Sequence, residues 1–262
     1  IPTISITDAT NITGIREGKL MPPEMLKRAE KSIFGPYNEA AERFGSRKIN
    51  NFKEMLTADL TLMPDLPSLF PGADTGPNIT YIGPLTWGEN SKIDPKIEID
   101  REKPLVYVSM GSSGNTEHMK KLAQNLTGNI KGLDEMHTME REGFYVRNFL
   151  PGDQVIKSSD RTVVVCHGGL GTLYQAIQNN AYGIIVSPAH IQHRMIAKVV
   201  SETGLGEVIE DTQFGEISEH VKDILDSPLP EIRKALAVDL QKYKGPENGR
   251  DAILSYMDKS VR

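Results

Sequence analysis

Several things are scarce in this 262-residue sequence, and each shortage removes a class of function. There is one cysteine, Cys166, so no intrachain disulfide forms, in keeping with a reducing compartment. No apolar run approaches the ~20 residues needed to span a bilayer. The opening Ile1-Pro2-Thr3-Ile4-Ser5-Ile6-Thr7 has neither a basic n-region nor a cleavage signature, and a cytoplasmic location is expected. Basic residues are not in excess: 30 Lys and Arg against 35 Asp and Glu give a net charge of -5, with the signs interspersed. That leaves no basic stripe for a phosphate backbone, and nucleic acid is not an expected partner. Any bound phosphate must be held locally, by backbone N–H groups and dipoles. A starting Met is lacking too, and the chain opens in an alternating segment at 2–7 that reads as a strand. The neighbours such a strand needs are expected upstream.

What is present supports an α/β protein. A hydrophobic content of 38% is enough for ordinary cores in two domains or one large one. Residues 1–84 read as the later part of one domain, with a strand at 3–7 and a helix from Met25 to about Arg43. Short buried strands follow at Leu60-Thr61-Leu62-Met63 and Ile79-Thr80-Tyr81-Ile82, ended by Pro64 and by Gly83-Pro84. Residues 85–104 are polar and charged and read as a linker. A second domain is expected over 105–245. It starts with the apolar run Leu105 to Met110, the turn Gly111-Ser112-Ser113-Gly114 and a helix from Thr116 to Leu126. The unit recurs at Thr162 to Cys166, with a turn at 167–172 and a helix from Leu173 to Asn180. It recurs more weakly at Gly183 to Ser187, with a helix over roughly Gln192 to Thr203. Continuous apolar strands alternating with helices imply a parallel sheet covered on both faces, with ligands beyond the carboxyl ends of the strands. Between Leu126 and Gly143 this rhythm calls for a buried strand; none is legible, and residues are expected to be missing there. Residues 246–262 read as a surface helix, with Ala252, Ile253, Leu254, Tyr256 and Met257 available for docking.

The chemistry concentrates in His167-Gly168-Gly169-Leu170-Gly171-Thr172. Glycines let backbone approach a ligand without interference from Cβ, and free N–H groups at a helix start favour negative charge. Thr172 adds a hydroxyl, and His167 at the strand end is placed to donate to a phosphate oxygen. The turn matches neither the lysine-bearing Walker pattern nor the dinucleotide fingerprint, which counts against ATP and nicotinamide. The plainer reading is a tight strand-to-helix connection with His167 bonded to a carbonyl; the histidine favours the anion site. His190 and His193 could be read as a metal pair but lack a third ligand, so no metal is expected, and solvent-facing or sugar-facing roles are preferred. Cys166, next to His167 on a strand, points to the opposite face, where a small apolar role fits. Trp87 in the linker reads as an acceptor-stacking platform or as a plug between domains, the plug being preferred.

The run from Val164 through His167-Gly168-Gly169-Leu170-Gly171-Thr172 to Ala176, followed by Ile184 to Pro188 and Gln192-His193, resembles the donor-binding region of UDP-glycosyltransferases of the GT-B fold, close to the macrolide and bacterial glycoside branch. Similarity extends from about Phe52 to Tyr256. The resemblance implies two Rossmann-like domains, the first of them incomplete. It implies that His167, with Gly169 and the backbone of Leu170, Gly171 and Thr172, holds a diphosphate, and that Gly111 and Ser112 lie against the phosphates. Phe149 and Leu150 would meet the nucleobase, and Gln192 the sugar or ribose. Where the family usually has an acidic residue before that glutamine, this chain has Ile191, which points to a less hydroxylated sugar than glucose. The implied activity is metal-independent transfer of a sugar from a UDP- or dTDP-sugar to a small hydroxylated acceptor, with no cofactor beyond that co-substrate. No catalytic base is identified, since the family's lies early in the first domain. Two other readings stand beside it: a donor-binding subunit or inactive relative that needs a partner chain, and a non-hydrolysing sugar-nucleotide epimerase.

Overall fold

The computed structural model describes residues 3–9, 23–71, 76–86, 92–93, 97–111, 116–127, 139–141, 144–147 and 149–260. Ser112 and Trp87 therefore lie outside the described residues. The chain forms two compact units, Ile1–Leu85 with Ala235–Arg262, and Thr86–Lys234.

In the first unit, strand β1 (Ile4–Ile6) is followed by helices α1 (Pro23–Arg43) and α2 (Phe52–Leu56), then by β2 (Leu60–Met63) and β3 (Ile79–Tyr81). The strands form a parallel sheet in the order β1-β2-β3. Every residue of the central β2 is buried, as expected of a strand with neighbours on both edges.

The second unit begins with β4 (Leu105–Ser109), α3 (Thr116–Thr127), β5 (Met139–Arg141), β6 (Phe144–Val146) and α4 (Gly152–Lys157). It continues with β7 (Thr162–Cys166), α5 (Leu170–Gln178), β8 (Gly183–Val186), α6 (Ile191–Glu202) and β9 (Glu207–Val208). A 3₁₀ turn at Asp211–Glu216 and α7 (Ile217–Asp226) close it. The parallel sheet runs β4-β7-β8-β9. Val163, Val165 and Ile185 face a core completed by Leu122 of α3, Phe214 and Ile217. Val164 and Ile184, one residue out of phase, are equally buried, so both faces are covered. β5 and β6 pair only with each other, antiparallel. Among the described residues, the stretch after α3 adds no strand to the parallel sheet.

Helix α8 (Ile232–Lys242) and helix α9 (Pro246–Ser260) complete the chain. The second domain was expected to run to residue 245, whereas the chain leaves that unit at Lys234. The reason is burial: Ala252, Ile253 and Tyr256 of α9 cover Leu60, Leu62 and Ile82, whereas Leu254 and Met257, also expected to dock, lie on the exposed side of the helix. The Ser68 N–H donates to the Asp239 carboxylate at 2.7 Å, and the Gly245 N–H donates to the Ile82 carbonyl at 2.8 Å. Gly83, at φ +96, has the backbone of Tyr243 where a side chain would stand.

The candidate anion site at the His167 turn

Parallel pairing of β4 with β7, in the register Ser109↔Cys166, places Gly111 beside His167. The turn is shorter than the sequence pattern predicts. α5 starts at Leu170 rather than Leu173, so only His167, Gly168 and Gly169 connect strand to helix. Gly168 makes this possible by adopting φ +94, where an L side chain is strained. A Cβ there would also stand 3.0 Å from Val186 Cγ1 and 3.1 Å from the His193 carbonyl oxygen. Gly169 then serves as the extended residue ahead of the helix.

The His167 ring is only 4% exposed, deeper than a side chain simply held out to a ligand. Its Cε1–Nε2 edge faces two glycines. A Cβ on Gly111 would lie 2.6 Å from Cε1, and one on Gly169 would lie 2.7 Å from Nε2. Glycine at both positions thus keeps a Cβ from standing against that edge. Gly111 itself is exposed, with φ +55. Beside it run the first-turn residues Leu170, Gly171 and Thr172, partly or fully exposed, whose N–H groups have no preceding turn to bond. A Cβ on Gly171 would meet nothing within 4 Å.

Charge completes the case. Glu24, Glu117, Asp153, Glu219 and Glu247 stand in the first turns of α1, α3, α4, α7 and α9, where a carboxylate offsets the positive helix end. α5, α6 and α8 have no acidic residue in the first turn, and of these α5 and α6 follow strands of the β4-β7-β8-β9 sheet and have no side-chain cap. Both helix starts follow neighbouring strands, since β7 pairs with β8, and the uncompensated dipoles favour an anion.

The turn is tied to α6 by a stack of imidazoles. His193, 4% exposed, meets the His167 ring edge-on at 4.2 Å between centroids, and His190 stacks on His193 at 3.4 Å. This corrects the expectation that both outer histidines face solvent or sugar: His190 does reach solvent, whereas His193 is packed inside. The signal was present in the sequence, because His193 lies three and seven residues before the buried Ile196 and Val200. Burial, and then the neighbouring His190, hold His167 below the ordinary imidazole pKa, while a backbone hydrogen bond at Ser109 acts the other way. Burial, and then His167 and His190, bring His193 down to about 4. Cys166 is fully buried and its thiol is pushed up to about 11, which suits a small apolar residue and not a nucleophile. Among the described residues, no group of three or more His, Cys, Asp or Glu is arranged to hold a metal ion.

The remaining expected residues are placed more loosely. Phe149, 60% exposed, and the half-buried Leu150 lead into α4. Gly152 rests against Gln175 of α5 and the Tyr107 hydroxyl, which anchors the segment to α5 and β4. Gln192 is exposed in the first turn of α6, one residue before His193. Among the described residues, no helix is long and apolar enough to cross a membrane.

No protein-family model matches the chain, and no curated protein matches it in sequence. Its fold does recur in solved structures. The glycotransferase of kitacinnamycin superposes with a TM-score of 0.74 at 20% identity, over 98% of this chain and 70% of its own. Spinosyn forosaminyltransferase gives 0.66 at 16% identity, over 98% of this chain and 70% of its own. A spinosyn rhamnosyltransferase complexed with thymidine diphosphate gives 0.60 at 15%, over 92% of this chain and 70% of its own. At this level of identity the likeness establishes the architecture: Rossmann-like units with parallel sheets, of the GT-B type.

Proposed function

We propose that the chain binds a nucleotide-diphosphate sugar at the His167 turn and is the donor-binding part of a glycosyltransferase. The observation that carries this reading is the α5 start, with no acidic residue in its first turn and no side-chain cap, beside a histidine ring against which Gly111 and Gly169 set no side chain. In this reading the N–H groups of Leu170, Gly171 and Thr172 hold the diphosphate, with Gly169 allowing close approach and His167 donating a hydrogen bond. Gly111 and Ser112 lie against the phosphates from the end of β4. Phe149 and Leu150 meet the base, and Gln192 the sugar or ribose. As the glycosidic bond to the donor breaks, negative charge grows on the departing diphosphate, and these same donors stabilise it without reorganising. UDP and dTDP are the proposed nucleotides; one fold relative is solved with thymidine diphosphate and another with UDP.

The donor sugar is proposed to be poor in hydroxyls. Ile191 opens α6 with its side chain 42% exposed, and an apolar group there gives a hydroxyl no acceptor. The acceptor is proposed to be a small hydroxylated molecule, and the transfer is proposed to be metal-independent.

Calorimetric titration of the chain and of His167→Ala with UDP, dTDP and GDP tests the assignment. UDP or dTDP binds the wild type, and the variant binds roughly tenfold or more weakly, as loss of a charge-assisted hydrogen bond requires. If no nucleotide binds the wild type, the proposal fails. If the variant binds as tightly, His167 serves the turn's structure alone.

A further inference from the structure

Phe149 and Leu150 belong to no helix or strand, so their place relative to the α5 start depends on what the chain beside them is tied to. Two residues after Leu150, Gly152 opens α4 in a buried position, behind the buried Pro151. A Cβ on Gly152 would lie 2.9 Å from Gln175 Oε1 and 3.2 Å from the Tyr107 hydroxyl oxygen, so the backbone sits directly against both. Gln175 lies one turn along α5 from Gly171, and Tyr107 lies four residues before Gly111 on the strand that leads to it. The two elements that end at the anion site therefore also carry the seat of the segment that follows Phe149 and Leu150. Tyr107 is the unexpected member of this seat. Its neighbours Val106 and Val108 pack into the core beneath α3, whereas Tyr107 turns to the opposite face and meets Gly152 with its hydroxyl. Phenylalanine would fill the same space, and a phenol taken out of water is retained where its oxygen has a partner. Burial pushes the Tyr107 phenol above its ordinary pKa, and a hydrogen bond with the Ser109 side chain acts the other way.

Resting on the donor-site reading, we infer that Tyr107 is a positioning residue for the base-contacting segment: its hydroxyl is the stop against which Gly152 seats, and it sets how far Phe149 and Leu150 stand from the phosphate-binding end of β4 and α5. The physical reason is span. Base and diphosphate are joined covalently, so both are gripped at once only if their two sites are held at a fixed separation, to within a fraction of an ångström. The N–H groups at the start of α5 belong to the helix itself and do not depend on Gly152. A shift of the seat accordingly loosens the hold on the nucleoside and leaves the hold on a bare diphosphate unchanged.

The test compares affinities for UDP, dTDP and inorganic pyrophosphate, by calorimetry on the whole chain, among the wild type, Tyr107→Phe, Gly152→Ala and the double variant. Segment-resolved hydrogen exchange of the same proteins without ligand accompanies it. Gly152 does not have a positive φ, so alanine adds a methyl group and no backbone strain, and Gln175 meets that methyl with the end of a flexible side chain. Gly152→Ala binds the nucleotides roughly tenfold more weakly, as overpacking against the hydroxyl requires, and binds pyrophosphate as the wild type does. Tyr107→Phe keeps the ring and weakens nucleotide binding by roughly three- to tenfold, again with pyrophosphate unaffected. In the double variant the methyl group takes the space that the hydroxyl has left, and part of the Gly152→Ala loss is recovered. Exchange over residues 149–157 quickens in both single variants, while the β4-β7-β8-β9 sheet keeps its protection. Equal losses of nucleotide and pyrophosphate, additive losses in the double variant, or unchanged exchange over 149–157 overturn the inference. If the wild type binds neither nucleotides nor pyrophosphate while exchange over 149–157 responds as stated, the Tyr107 seat stands and the donor-site reading fails instead.

Discussion

Single atoms decide the character of the His167 turn. A methyl group on Gly111 or Gly169 would stand 2.6 or 2.7 Å from the imidazole, too close for the ring to stay in place. Gly111→Ala and Gly169→Ala should each cost about 1–3 kcal/mol in denaturant unfolding and weaken nucleotide binding, as expected of overpacking. Gly111→Ala should be the worse, since it also forces a side chain into φ +55. His193 leads to a second expectation. Its folded pKa of about 4 lies below the unfolded value near 6.5. Above pH ~6.5 neither state holds the proton; as pH falls toward 4 the unfolded chain takes it up and the folded one does not, so stability is lost in that window. The loss amounts to about 3 kcal/mol at most. Urea midpoints measured from pH 7 to pH 4 should fall less steeply in His193→Phe than in the wild type.

For a helix, the first turn is where charge matters most, and α5 has left its own empty. Gly171→Asp places a carboxylate where the backbone has open space on every side. It should raise thermal stability by about 0.5–1 kcal/mol through the dipole and better helix propensity. The same substitution should weaken UDP binding by roughly tenfold or more, because the carboxylate occupies the anion's place. Opposite signs for stability and affinity in one variant would mark this helix start as a binding feature, and a gain in both would contradict it. The strands β4, β7 and β8 were legible because their apolar runs are continuous and lead into turns that hold glycine or proline. The start of α5 was not, because the backbone of a glycine-rich turn can enter a helix early, and only the φ +94 of Gly168 shows that it does. β9, with two residues, and the 3₁₀ turn at Asp211–Glu216 are too short to leave a periodic signal. His193 was legible as part of a buried stripe, yet a polar residue at that position reads more readily as a surface one.

At the scale of the molecule, sequence neighbourhood and spatial neighbourhood part company. A linear reading assigns residues up to 245 to the second unit, because nothing local marks the point where the chain leaves it. The assignment to the first unit comes from contacts distant in sequence, such as Ser68 with Asp239 and Leu62 with Ala252 and Ile253. Leu60, Leu62 and Ile82 depend on α9 for cover, and a buried aliphatic side chain returned to water gives up about 1.5–3 kcal/mol. Three of them approach the whole stability of a small unit. Truncation after Lys244 should therefore open the β1-β2-β3 sheet while β4-β7-β8-β9 stays folded. Hydrogen exchange resolved by segment checks this; equal protection of both sheets would show that α9 is dispensable.

Gly168 bears on any attempt to redesign this protein. Because it brings the His193 backbone onto the histidine turn, the segment that ends β7 and the segment that begins α6 form one mechanical part. A graft that exchanges residues 190–193 for those of a relative would also re-seat the His167 imidazole. The two loops are best transplanted together, as a matched pair.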